Sequence, residues 1–401
     1  MSRDASDMSS HVMPTYNRAD LRFVRGKGAW LETETGDKYL DFGSGVAVNT
    51  LGHAHPKLVA ALQAQAEKLW HVSNLYTIPQ QEKLAESLCA ASFADLVFFS
   101  NSGAEAAEGM IKAMRKFHAV NGHPEKVTLI SFAGAFHGRT LAALAAAGNP
   151  AYLEGFGPAP AGFVQCAELS IDAVEKLIDE TTAGILIEPV QGEGGVRDVG
   201  TEFLRALRAL CDRHGILLGF DEVQCGIGRT GKLFAHEWAG IAPDVMAIAK
   251  GIGGGFPLGA VMTTKAVGEV MQPGTHGSTY GGNPLACAVG SAVMEEVAQD
   301  DFLANVQELA IYFRQHLARV LDENNDIFED VRGSGLMIGL KCKRPNSELV
   351  SALRDAKTLT VGAGENVLRI LPPLNVSRDE IDFAVNGLVA ACMAVREGDA
   401  K

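Results

Sequence analysis

The sequence predicts an α/β fold, with a mostly parallel central sheet and a smaller α+β domain at the C-terminal end. Three observations predict it. Five short runs, Leu96–Ser100, Lys126–Phe132, Gly184–Glu188, Ile216–Asp221 and Val245–Ala249, have strand length and read as buried on both faces. Between two of them, Thr201–His214 sets Phe203, Leu204, Leu207 and Leu210 at helical spacing, which makes a βαβ unit with a right-handed crossover. The C-terminal part then changes character: Ala286–Val297, Phe302–Leu321 and Glu380–Val395 read as helices, and Val331–Lys341 and Val367–Leu371 as strands.

Each element has a local reason. Pro56–Trp70 and Gln80–Ala91 are amphipathic and suit helices covering the sheet. Thr201 can cap the start of its helix and Gly215 can end it. The 401 residues suit two or three domains at roughly 100–200 residues each. The expected division is an N-terminal segment over residues 1–50 packed with the small domain, a large α/β domain over 51–285, and a small domain over 286–401.

Composition excludes several function classes. The chain is 47% hydrophobic and 21% charged, enough for a sizeable core. It has 48 acidic against 35 basic residues, a net charge of −13. That argues against a nucleic-acid partner and against an anionic membrane surface. No stretch reaches the ~18 apolar residues of a membrane span, and Met1–Ser10 has no apolar core of a secretory leader. The seven cysteines are odd in number and lack CxxC pairs, so they read as reduced thiols of a cytoplasmic protein, without a disulfide framework or zinc site. His53 and His55 have the spacing of a metal pair, but are read as bonding backbone at a helix entrance, so no metal is expected.

Glycine is abundant, 44 residues, and clusters after the strands. Ligands of parallel sheets bind beyond the carboxyl ends of the strands. Asn101–Glu105 opens a helix with small residues whose free N–H groups suit a phosphate, although the same residues also describe an ordinary capping box. Phe136, in Gly134–Thr140, can stack on a flat ring, and Arg139 can hold a carboxylate. Glu188 and Glu193 flank a glycine loop. Asp221 ends a buried strand, where its charge needs a cationic partner. Lys250 sits at the mouth of an apolar strand, where burial would free its lone pair for a Schiff base. Gly277–Pro284 is a second loop suited to phosphate oxygens. A P-loop ATPase would also place an acid at 221, but no GxxxxGK[ST] occurs. A phosphate, a flat ring, a cation beside Asp221 and a carbonyl at Lys250 together describe pyridoxal 5′-phosphate (PLP).

The chain resembles the class-III, fold-type-I PLP-dependent aminotransferases over about Met13 to Val395. The specific block is Gly219–Arg229 with Ala249-Lys250-Gly251, and the loops above follow in the family's order. Met13–Tyr16, Val48–His53, Ser73–Tyr76 and Leu368–Pro373 are most similar to the acetylornithine aminotransferase branch. The resemblance implies that Lys250 forms the Schiff base and shuttles the proton, and that Asp221 pairs with the pyridine nitrogen. It implies Val223 and Phe136 on the two ring faces, Gln224 on the ring hydroxyl, and Ser102, Gly103 and Ala104 on the phosphate. Thr279 would reach that phosphate from the partner subunit of a homodimer, with Ser278 beside the substrate. Arg139 would bind a distal carboxylate and Arg369 an α-carboxylate, with Glu193 as the switch residue pairing with Arg369; Tyr16 is a further substrate candidate. Val46 stands where ornithine-specific relatives carry tyrosine, which favours an acylated donor. The implied activity moves the ω-amino group of N2-acetyl-L-ornithine to 2-oxoglutarate in arginine biosynthesis. Ornithine, N-succinylornithine, N-succinyl-diaminopimelate and 4-aminobutyrate are alternative donors within the same fold, and a non-catalytic PLP-binding protein is the alternative from another class.

Overall fold

The computed structural model describes residues 11–399. The leader reading of Met1–Ser10 lies outside the described residues.

A seven-stranded sheet organises the large part of the chain. Its spatial order is Leu96–Ser100, Gly259–Thr263, Val245–Ile248, Leu217–Asp221, Thr182–Ile187, Thr128–Phe132 and Phe163–Cys166. Gly259–Thr263 runs antiparallel to both neighbours, while the other pairings are parallel. Thr182–Ile187, the helix Thr201–His214 and the adjacent parallel strand Leu217–Asp221 form the expected βαβ unit. The five expected strands form within a few residues of their predicted ends. Gly259–Thr263 and Phe163–Cys166 were not expected.

The helix Gly103–Val120 lies against the sheet, with Met110 and Met114 buried beneath it. The fit leaves no room on the strand. A Cβ at Gly219 would stand 3.0 Å from the Met114 sulfur and 3.3 Å from that of Met110. Thr201–His214 buries Leu204, Leu207 and Leu210, and Gly215 ends it at φ 60. Its N-cap is Gly200, without a side-chain cap, and Thr201 is the first helical residue rather than the cap. The helix from Pro56 stops at Ala66, short of Trp70. The Trp70 indole N–H donates to the freed Ala66 carbonyl at 2.7 Å, which satisfies one orphan acceptor of the last turn.

The expected strand Val331–Lys341 is a hairpin: Phe328–Ser334 and Met337–Cys342 pair antiparallel. The chain reverses at Gly335 (φ 56), where an added Cβ would meet the Thr230 backbone at 2.5 Å, so only glycine fits the turn. Val367–Ile370 and Val361–Ala363 complete this second sheet. Three N-terminal strands, Phe23–Lys27, Trp30–Thr33 and Lys38–Asp41, form another sheet with Thr358–Leu359. No helix among the described residues is long and apolar enough to cross a membrane.

Candidate active site

The parallel strands deliver Asn101–Ala104, Phe136–Arg139, Glu188, Asp221 and Lys250 to one edge of the sheet. The reversed strand Gly259–Thr263 begins at that same edge, so the segment before it, Gly255–Leu258, closes the ring. Together these residues line a cavity of about 420 Å³, with Val48, Val223 and Gln224.

At one end is the N-terminus of Gly103–Val120. Ser102 caps it: its Oγ accepts from the Glu105 N–H at 3.2 Å, and the Glu105 carboxylate accepts from the Asn101 N–H at 2.7 Å. This is a variant of the capping box, in which Glu105 reaches back to the residue before the cap rather than to the Ser102 N–H, and the first-turn residues Gly103 and Ala104 line the cavity. The Ser102 side-chain cap is present, and the same helix start lines the cavity. Gly103 is required, because a Cβ there would stand 2.7 Å from Val223 Cγ1.

At the other end is Asp221, buried at the terminus of Leu217–Asp221. Its Oδ1 accepts from the Val223 N–H at 3.0 Å, and its Oδ2 lies 2.7 Å from His137 Nδ1. The cation expected beside the strand-end acid was the cofactor's ring nitrogen; His137 is a further partner of Asp221, to which the sequence reading gave no role. Burial pulls the imidazole pKa down, but the hydrogen bond and charge of Asp221, with Glu188 behind, raise it above its ordinary value. Glu188 was also given no specific role. Its carboxylate accepts from the Phe136 N–H at 2.9 Å and the Gly192 N–H at 3.4 Å. Burial first, and the Asp221 charge against the opposing pull of His137, push its pKa up to about 7.

Lys250 occupies a left-handed backbone position (φ 48) directly after the apolar strand Val245–Ile248. Desolvation lowers its amine pKa, and the Arg369 charge lowers it further, which favours the neutral, nucleophilic form. The turn is held by Thr50, whose hydroxyl donates to the Gly251 carbonyl at 3.0 Å.

Arg369 enters from the second sheet and is 2% exposed. Its Nη1 contacts Glu193 Oε1 at 2.8 Å and Gln224 Oε1 at 2.9 Å. Gln224 thus spends its carbonyl on Arg369 and keeps its amide N–H groups for another partner. Arg139 is exposed at the cavity rim, with its guanidinium over the rings of Tyr152 and Phe136. Ser278 reaches Asn101, whose Nδ2 lies 3.3 Å from its Oγ. Thr279 is exposed and does not line this cavity; Tyr16 is 75% exposed and does not line it either. His53 differs from expectation: its ring bonds the Asp41 carboxylate at 2.8 Å rather than backbone, while His55 occupies the N-cap position of Pro56–Ala66. Cys225 is buried, and burial raises its thiol pKa well above the ordinary value, as suits an inert thiol.

Val46 lies in a run of four left-handed residues, Ser44 (φ 47), Gly45 (61), Val46 (64) and Ala47 (61). A β-branched residue there is strained. Asp41 Oδ1 holds the run by accepting the N–H groups of Gly43 and Ser44 at 3.1 and 2.9 Å.

The residues fit PLP. Helix N–H donors wait beside an obligatory glycine, a buried acid is backed by a histidine, an amide and an aromatic line the space between, and a lysine of lowered pKa stands within the same cavity. Such a cavity on a mostly parallel α/β sheet defines a PLP-dependent transferase. Residues 13–392 match the family model for class-III aminotransferases. The chain is 58% identical over 388 residues to the acetylornithine aminotransferase of Mesorhizobium japonicum, covering 97% of each. The N-acetylornithine aminotransferase structure from Stenotrophomonas maltophilia superposes with TM-score 0.84 at 36% identity, covering 95% of this chain and 98% of that one. The ornithine aminotransferase structure from Toxoplasma gondii gives TM-score 0.93 at 31% identity, covering 97% and 94%. The chain belongs to the class-III aminotransferase family.

Proposed function

We propose that this chain transfers the ω-amino group of N2-acetyl-L-ornithine to 2-oxoglutarate, giving N-acetyl-L-glutamate 5-semialdehyde and L-glutamate, a step of arginine biosynthesis in the cytoplasm. The observation that carries this reading is the Glu193–Arg369 pair at 2.8 Å. The two substrates differ in charge beside the reacting carbon: 2-oxoglutarate has a carboxylate there, and the ω-end of the donor has none. A buried arginine left without a counter-charge costs about 3–5 kcal/mol. Glu193 neutralises Arg369 while the donor is bound. Its side chain swings away when the α-carboxylate of 2-oxoglutarate arrives: that side chain is 30% exposed, while the backbone stays pinned by the Gly364 N–H, which donates to the Glu193 carbonyl at 2.7 Å. Arg139 takes the distal carboxylate of either substrate. Val46 stands where ornithine-specific relatives carry tyrosine, which fits an acylated donor.

When bound, PLP supplies the electron sink that stabilises the carbon from which a proton is removed. The chain's own residues do the rest. Ser102, Gly103 and Ala104 would hold the phosphate with helix N–H groups, joined by Thr279 of the partner subunit in a homodimer, with Ser278 beside the substrate. Phe136 and Val223 would pack on the ring, and the Gln224 amide would donate to its hydroxyl. Asp221, oriented by Val223 N–H and His137, keeps the ring nitrogen protonated. Lys250 would take the proton from the donor's amine-bearing carbon on its Nζ and pass it to the cofactor's aldehyde carbon. The same reading divides the chain into the N-terminal segment over residues 1–50, the PLP-binding domain over 51–285 and the small domain over 286–401. Tyr16 remains a candidate for closing over the substrate.

A panel of ω-amines with 2-oxoglutarate tests the substrate. The reading predicts the highest kcat/KM for N2-acetyl-L-ornithine; a higher value for free or succinylated ornithine overturns it.

A further inference from the structure

Arg139 lies exposed at the rim of the cavity, where a solvated arginine samples many rotamers. Here its guanidinium carbon stands 4.0 Å from the centroid of the Tyr152 ring and 5.6 Å from that of Phe136. The two rings meet edge to face at 6.4 Å. Among the described residues, Arg139 makes no hydrogen bond or ion pair. Aromatic faces attract a guanidinium without occupying its N–H groups. The donors therefore stay open as a fork that matches a carboxylate. Tyr152 belongs to Pro150–Leu153, a short helix anchored by Asn149, whose Oδ1 accepts from the Ala151 N–H at 3.1 Å. Tyr152 does not line the cavity, so its reach into the site is through Arg139 and Phe136.

We propose that Tyr152 is a positioning residue for co-substrate selection. Its ring fixes the Arg139 guanidinium at the rim with the donors free, so the chain favours oxo acids that carry a second carboxylate remote from the reacting carbonyl. The inference rests on the reading of Arg139 as the distal-carboxylate site. Phe136 alone does not supply this platform, because it is the more distant ring.

The test uses the full-length holoenzyme with Tyr152→Leu, Tyr152→Gln, Tyr152→Phe and Arg139→Ala. Each variant is assayed for kcat/KM with 2-oxoglutarate and with pyruvate, which lacks the second carboxylate, and each is titrated with glutarate by calorimetry. Two non-aromatic variants are used so that one reports if the other does not fold. The expected result is a roughly fivefold fall in the 2-oxoglutarate-to-pyruvate ratio for Leu and Gln, carried by KM, with weaker glutarate binding. The Phe variant stays within about twofold of the parent chain, because it keeps the ring face. Arg139→Ala loses more of the ratio than any of them. An unchanged ratio in Leu and Gln, beside a lost ratio in Arg139→Ala, overturns the role of Tyr152 and leaves the Arg139 reading standing. An unchanged ratio in Arg139→Ala overturns that reading and the proposal with it. Equal losses on both oxo acids, or a Phe variant as impaired as Leu, mark a merely structural tyrosine and also overturn the proposal.

Discussion

His137 Nδ1 lies 2.7 Å from Asp221 Oδ2, and both side chains are buried. The pair presents a carboxylate whose second oxygen is fixed by the Val223 N–H at 3.0 Å. An acid held this way keeps a ring nitrogen protonated without moving when the charge on the ring changes.

Asp221→Ala is therefore expected to lower kcat by several orders of magnitude while the protein still takes up PLP. Visible absorbance of the purified variant reports uptake and a coupled glutamate assay reports turnover. Turnover within about tenfold of the parent chain contradicts the role.

The buried acid Glu188 gives a pH dependence with a definite sign. Its folded pKa of about 7 lies above the ordinary carboxylate value, so the folded chain holds this proton more tightly than the unfolded one. The stability from that proton is complete below the unfolded value near 4.5 and is lost as pH rises through about 7. His137, raised above 6.5, acts in the same direction. Glu188→Gln removes the first contribution. Urea denaturation at pH 5 and pH 8, about, should show the variant gaining relative to the parent chain at the higher pH. A constant difference across this range contradicts the assignment.

Glu193→Gln removes the charge that neutralises Arg369 when no α-carboxylate is present. Donor preference should shift toward α-amino acids by about tenfold or more, since 1.4 kcal/mol is tenfold and an unpaired buried arginine costs more than that. The measurement is the ratio of kcat/KM for N2-acetyl-L-ornithine and for L-glutamate as donors. An unchanged ratio counts against the switch.

Much of this site was legible before any coordinates, and the exceptions have physical causes. The central strands read clearly because they are apolar on both faces, and the residues just after them are the cavity lining. Gly259–Thr263 was missed because Phe256-Pro257 reads as a breaker and the run after it is short. Val331–Lys341 read as one strand because the apolar, buried arm Met337–Cys342 dominates it; the first arm, Phe328–Ser334, is mostly polar, and the reversal is marked by Gly333-Ser334-Gly335. His137 went without a role because its partner is 84 positions away and the cation expected beside Asp221 was already supplied by the cofactor; the signal available was the second oxygen of a buried carboxylate, which needs its own hydrogen-bond donor. Glu193 and Arg369 carry no local pattern at all, and their pairing was expected only from the family resemblance.

The central claim is that Lys250 is the lysine to which the cofactor is joined, at the mouth of the strand beside the Asp221 strand. Borohydride reduction of the PLP-loaded chain, followed by peptide mapping, tests it most directly. The account predicts a pyridoxyl group on Lys250 in the parent chain, and neither that adduct nor turnover in Lys250→Ala. A stable adduct on a different lysine of the parent chain would contradict it.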